Sequence, residues 1–187
     1  MKAYYAKQDA EKLSGKGDTS QKLTLMKTSA DSLKKSADAL NDSSLWEKKK
    51  IKKKDEKTGE EIEVEDYDWD KITKAVKSFV EDYNDVVKEA GESNTKDVLR
   101  NASWMTGMTD KNSNMLAQIG ITIGKGNKLE LDEDALKQAD ISSLKTVFTG
   151  YNSFVSKISQ KATGISNAAN RASATYTNNG TYSKTDS

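Results

Sequence analysis

The side chains that could do chemistry in this 187-residue chain are carboxylates, lysines, tyrosines and serines, because it contains no Cys and no His. This composition excludes a thiolate nucleophile, a disulfide framework, a Cys/His zinc site and imidazole acid–base catalysis. Paired carboxylates can still transfer protons, but only in a desolvated cleft that separates their pKa values. The acidic residues here lie at predicted helix starts and in a charged segment, where solvent exposure is usual. We therefore predict a non-catalytic protein with no cofactor and no metal.

Two short motifs resemble ligand sites. The Gly-rich stretch Gly124–Asn127 lacks the Gly-Lys-Ser/Thr ending of a phosphate loop and does not lead directly into a helix. The acidic run Asp132–Asp134 lacks the twelve-residue calcium loop with its closing Glu. At the start of a helix it instead interacts favourably with the helix dipole. Both motifs therefore predict local structure.

Long helices must position these groups, because apolar residues recur at alternating spacings of three and four, a pattern that we call a seam. The central seam follows Trp69–Ala90, WDKITKAVKSFVEDYNDVVKEA; a second lies at about 20–41 and a third runs from Tyr151 to Tyr176. One helix cannot bury a seam alone. We therefore predict a mainly α fold, an antiparallel helical bundle or coiled coil of three long helices with two small β-hairpins. The seam residues expected in the core are Leu33, Leu40, Trp69, Ile72, Val76, Phe79, Tyr83, Val86, Val155 and Ile158.

A charged segment separates the first two helices. Six Lys lie between Lys48 and Lys54, and seven acidic residues lie between Glu60 and Asp70. Turn residues at Asp55–Gly59 and the alternation of Ile62 and Val64 with charges predict a β-hairpin with a basic and an acidic strand. A basic run can also bind nucleic acid or an anionic membrane. The nearby acidic segment favours the solvated hairpin.

The segment after the central helix combines a helix with a second hairpin. Thr95–Gln118 predicts a helix that is interrupted or bent near Gly107, and its Met residues with Trp104 fit either an adaptable partner-binding surface or core filling. Ile119–Leu131, IGITIGKGNKLEL, changes to period two around a Gly-rich turn, which predicts a hairpin.

The sequence predicts one helical domain. We expect a flexible lead-in over 1–19, a single domain over 20–176 with hairpins at about 45–68 and 119–131, and a disordered tail over 177–187.

From Thr163 the last seam becomes Ala-rich, with little apolar area, so we expect this half of the helix to be exposed and to be stabilised on a partner chain. The candidate partner interface is Ile165, Ala169, Arg171 and Ala172.

Charge and hydropathy bear on partners and location. The net charge is +1, which gives no global attraction to nucleic acid or membrane, so we predict no nucleic-acid partner. The charged N-terminus lacks the apolar core of a secretory signal peptide, and no run approaches the ~20 apolar residues of a membrane span. We therefore expect no membrane span, and an exported protein would need a route without such a signal.

Several motifs together resemble the bacterial flagellar filament-capping (hook-associated cap) family. They are FVEDYNDVV (79–87), LAQIGITIGKGNKLELDEDAL (116–136), LKTVFTG (144–150), the polar last helix, and LKKSADALNDSSLW (33–46) in the first helix. The resemblance covers most of residues 20–176 and corresponds to the inner helical core of that family. The family's large outer domains, which follow the first coil, are replaced here by the charged hairpin.

The resemblance implies a structural protein that assembles through coiled-coil helices and promotes or caps flagellin filament assembly. It implies a homo-oligomer, flagellin or hook-junction partners, and an extracellular place on the flagellum reached by type III export. The alternative is a helical protein–protein interaction module, cytoplasmic or on the cell surface, that is related to the cap core but has no flagellar function.

Overall fold

The computed structural model describes the backbone of residues 17–179 and the side chains of residues 17–174. It is mainly helical, with two small antiparallel β-hairpins. The helices are α1 (Ser20–Leu40), α2 (Trp69–Gly91), α3 (Lys96–Lys111), α4 (Ser113–Ala117), α5 (Glu133–Gln138), α6 (Ile141–Phe148) and α7 (Phe154–Asn179). The strands are β1 (Lys49–Lys54), β2 (Glu61–Asp66), β3 (Ile121–Ile123) and β4 (Leu129–Leu131), and short 3₁₀ turns lie at Ser43–Trp46 and Lys125–Asn127.

Helices α1, α2, α3 and α7 form an antiparallel bundle in which each packs against two neighbours. The start of α1 meets the end of α2, where Lys22 Nζ donates a 2.5 Å hydrogen bond to the Glu92 carbonyl. The end of α1 meets the start of α7, where Ser159 Oγ donates to Asp38 at 2.8 Å. The prediction of three long helices is therefore corrected to four, because α3 packs along α7 as a full member of the bundle.

The helix boundaries follow local chemistry. Thr19 caps α1 by accepting from the Lys22 amide, and Asp68 caps α2 by accepting from the Lys71 amide. Helix α3 continues through Gly107 and ends at Lys111, and α4 begins at Ser113, so the predicted interruption lies at Asn112 and not at Gly107. A single Gly costs a helix about 1 kcal/mol relative to Ala, and the buried residues of α3 offset this cost.

The bundle is filled by narrow seams and one aromatic cluster. Helices α1 and α7 bury small residues along their contact, among them Ala30, Ala37 and Ala162, which allows close approach. At one end of this contact Trp46 stacks on Phe148 with ring centroids 5.5 Å apart, and the Trp46 Nε1 donates to the Leu40 carbonyl. At Gly164 of α7 the Asn101 side chain of α3 lies close to the backbone, and a Cβ there would require that side chain to move.

Both predicted hairpins are present. Strands β1 and β2 pair with Ile51 opposite Val64, and β3 and β4 pair with Thr122 opposite Glu130. Gly120, before β3, has a φ of 91°, and a Cβ there would lie 2.7 Å from the Asp132 carbonyl oxygen. Only Gly fits this position without a shift of backbone.

Residues 1–16 of the predicted lead-in and residues 180–187 of the predicted tail lie outside the described part of the chain. Helix α7 extends to Asn179, three residues beyond the predicted domain boundary at 176.

Candidate assembly surfaces

The carboxylates that could have bound calcium are helix caps and first-turn acids. Asp132 Oδ1 accepts from the Ala135 amide at 3.1 Å, and Glu133 and Asp134 occupy the exposed first turn of α5. Within residues 17–174, no group of three or more acidic side chains could hold a metal ion. Within the described residues, no helix is long and apolar enough to cross a membrane.

Five carboxyl groups have shifted pKa values; the pKa of Asp82 is raised, and those of Asp18, Asp31, Asp42 and Asp66 are lowered. Desolvation raises the pKa of Asp82 in α2; a hydrogen bond from Ser36 opposes this shift, and Asp85 and Glu81 add to it. Burial alone would also raise the pKa of Asp18, but hydrogen bonds from Thr95, Asn94 and Ser93 and the charge of Lys22 lower it overall. Asp18 thus ties the residues before α1 to the α2–α3 loop.

The seam residues of α2 lie in the core. The side chains of Phe79 and Tyr83 are fully buried, and the Phe79 ring lies 6.2 to 6.5 Å from those of Tyr83, Phe148 and Phe154. Trp69 differs, because it is half-buried at the edge of the core. The other predicted seam residues are buried: Leu33, Leu40, Ile72, Val76, Val86, Val155 and Ile158.

The Tyr83 hydroxyl links α2 to α3. It donates to Thr109 Oγ1 at 2.8 Å, and the Thr109 hydroxyl donates in turn to the Met105 carbonyl at 2.9 Å. Desolvation raises the pKa of Tyr83 to about 12, a shift that the Thr109 hydrogen bond opposes and Asp110 increases. The neutral phenol is therefore the form that the core holds.

Asn84 makes a contact that the sequence pattern did not reveal. Its amide nitrogen donates to the Leu129 carbonyl at 2.9 Å, and its Oδ1 accepts from the Leu129 amide at 2.7 Å. The side chain thus pairs with β4 as a neighbouring strand would. A polar Asn beside the seam of α2 was the available signal, but only the tertiary structure shows its partner.

The structure corrects half of the predicted partner interface. Ile165 and Ala169 are 0% and 1% exposed, because α7 buries its Ala-rich half within the chain's own bundle. They therefore do not form the exposed face that we expected. Arg171 is exposed, with Nη2 3.8 Å from an Asp97 carboxylate oxygen, and Ala172 is half-buried.

The Met residues and Trp104 of α3 and α4 are divided between the core and the surface of the bundle. Met105 is buried in the core, whereas Met108 and Met115 are half-buried at its edge. Trp104 is 53% exposed, and Lys161 Nζ lies 4.7 Å from the centre of its ring. This cation–π pair marks the exposed side of the α3–α7 contact.

The charged hairpin, which we define as residues 49–66, stands apart from the bundle, and neither strand packs extensively against a helix. Because side chains alternate across a strand, the register separates two faces. The ionic face carries Lys50, Lys52, Lys54, Glu61, Glu63 and Glu65. The apolar face carries Lys49, Ile51, Lys53, Ile62, Val64 and Asp66.

Residues 93–187 match the family described as the flagellar hook-associated protein 2 C-terminus. The chain belongs to this family. Searches of curated proteins and of solved structures gave no match. The family match includes α3 and α7, which pack against each other in the bundle, and both strands of the second hairpin. The FVEDYNDVV motif of α2 lies before the matched range, although Asn84 within it pairs with β4.

Proposed function

We propose that this chain is a structural, non-catalytic protein of the flagellar cap type, which assembles through its helices and promotes or caps the assembly of flagellin filaments. The observation that carries this proposal is the match of residues 93–187 to the hook-associated protein 2 family. The bundle supports it, because the long helices bury their seams against one another. The acidic groups reported above serve as caps, ion pairs and interhelical hydrogen bonds.

The proposal includes place and partners. Membership of this family implies a location on the flagellum, and we propose that the chain reaches the cell exterior by type III export. Its partners would be further copies of itself and flagellin or hook-junction proteins. We also propose that residues 20–176 form a single helical domain.

The surfaces available to partners are those that the bundle leaves exposed. Arg171 and the exposed part of Ala172 lie on the same side of the bundle as Trp104, where α3 contacts α7. We propose this side as the contact with flagellin, since exposed Trp and Arg are the residues that contribute most at protein interfaces.

The decisive experiment is the solution mass from light scattering, measured for the chain alone and with flagellin from the same organism. We expect a discrete oligomer or a complex with flagellin. Trp104→Ala and Arg171→Ala should weaken the complex, whereas Lys125→Ala, in the exposed turn of the second hairpin, should not. A monomer that ignores flagellin would contradict the proposal.

A second function is favoured by one observation. Only a 3₁₀ turn and the charged hairpin lie between α1 and α2, where the resemblance implies large outer domains. A helical protein–protein interaction module without flagellar function would fit this reduced insertion. Finding the gene in an organism without a flagellar export apparatus would favour the module, and finding it among flagellar genes would favour the cap.

A further inference from the structure

The apolar face of the charged hairpin is only partly shielded from solvent by the described residues. Ile62 is 40% exposed, and Ile51 and Val64 are half-buried. None of the three packs against the helical core, although Tyr67 and Trp69, at the base of the hairpin, do. An isolated two-stranded hairpin is marginally stable in water, so this face would gain most from a surface that covers it.

The hairpin also has an unusual separation of charge. Strand β1 contains five Lys and no acid, whereas β2 contains four acidic residues and no Lys. Some of these charges pair within the hairpin, since Lys53 Nζ lies 2.7 Å from Asp66 and Lys52 Nζ lies 3.9 Å from Glu61. The two strands nevertheless form one basic and one acidic row, about 5 Å apart.

This pattern is complementary to itself. When two hairpins stack face to face about a two-fold axis parallel to the strands, the basic strand of each lies over the acidic strand of the other. Ile51 of one copy then lies over Val64 of the next, and Lys49 lies over Asp66. A two-fold axis that is perpendicular to the strands and parallel to the plane of the sheet would instead place the basic strand of one copy over the basic strand of the other. This arrangement is unfavourable, because Lys would lie over Lys. The charges thus select one orientation.

We propose that the apolar face of the charged hairpin is a self-association surface that takes the same face of a second copy of this chain. This inference rests on the proposed function in one respect, because that function requires copies of the chain to associate. Six-residue strands are only about 20 Å long. The contact is therefore small, and we expect it to be weak alone, with dimers appearing only toward the upper end of a concentration series.

The test compares masses over a concentration series by sedimentation velocity. The variant Ile51→Thr, Ile62→Thr, Val64→Thr keeps β-branched residues but removes the apolar face, and we expect it to remain monomeric where the wild type dimerises. The matched control is Lys52→Thr with Glu63→Thr, a directly opposed pair on the ionic face with no net charge. It should associate like the wild type.

A second variant tests the charges without removing the apolar face. In it, Asp66 on the apolar face becomes Lys, so that Lys49 of each copy would lie over a second basic side chain instead of an acid. We expect this Asp66→Lys variant to associate more weakly than the wild type, whereas Glu65→Lys, which makes the same change of net charge on the ionic face, should associate like the wild type. Association of Asp66→Lys as strong as that of the wild type would overturn the proposal, even if the Thr variant proved unable to form its hairpin.

The outcomes separate this inference from the proposed function. An oligomer that the Thr variant does not alter would overturn the hairpin surface and leave the cap-type function standing. A monomeric chain that binds flagellin would do the same. If the Thr variant loses flagellin binding without any change in self-association, the face takes flagellin and the proposal is wrong. A monomer that ignores flagellin would contradict both.

Discussion

Replacing Phe79 by Ala should destabilise the bundle more than any exposed substitution. The side chain is fully buried, and its ring meets those of Tyr83, Phe148 and Phe154, which belong to α2, α6 and α7. Removing a buried ring forfeits about 1.5–3 kcal/mol of transfer free energy. The residual cavity raises the total cost to about 3–5 kcal/mol, since three helices would have to move to fill it.

Urea unfolding followed by circular dichroism would measure this cost as a lower midpoint with an unchanged slope. A loss of that size should lower the melting temperature by on the order of 10 °C for a chain of this length. Tyr151→Ala is the matched control, because Tyr151 is 90% exposed and its removal should change stability by less than about 0.5 kcal/mol. If Phe79→Ala cost less than about 1 kcal/mol, the aromatic cluster would not be the centre of the core.

Three further substitutions test single polar groups. Tyr83→Phe removes the hydrogen bond to Thr109 and should cost about 1 kcal/mol at neutral pH. Because the folded pKa of Tyr83 is raised to about 12, the wild type should also lose stability between pH 10 and 12; equal alkaline loss in the Phe variant would refute this cause. Thr73 Oγ1 is buried without a hydrogen-bond partner among the described residues, so Thr73→Val should raise the free energy of unfolding by about 1 kcal/mol, whereas Thr73→Ser should not. Asp18→Asn should cost about 1–3 kcal/mol near pH 6, because three hydrogen bonds to a buried carboxylate weaken. The pKa of Asp18 is lowered, so its contribution is present above pH 4 and lost as the pH falls through the folded pKa. A difference between wild type and variant that stays constant down to pH 3 would contradict that linkage.

Most helices and both hairpins could be predicted from the sequence, because local chemistry specifies them. The seams of α1, α2 and α7 are visible because apolar residues at alternating spacings of three and four share one helix face. The hairpins are visible because turn residues interrupt a period-two pattern. Helix caps such as Asp68 of α2 are also local, because the capping side chain lies within a turn of the helix terminus. These signals act over a few residues, so they need no knowledge of the fold.

The surfaces that meet in the bundle could not be predicted from the sequence, because tertiary packing sets them. Ile165 and Ala169 would show the same apolar spacing whether they faced another copy or the chain's own helices. In the structure they are buried against the chain's own helices. The amide of Asn84 reaches Leu129 across 45 positions, and Asp18 reaches Ser93 across 75. Apolar periodicity predicts that a helix face is buried, but it does not identify the surface that covers this face. A buried polar side chain likewise needs a hydrogen-bond partner, but its own position in the sequence does not identify that partner. Those choices depend on how the helices cross, and that geometry exists only in the folded chain.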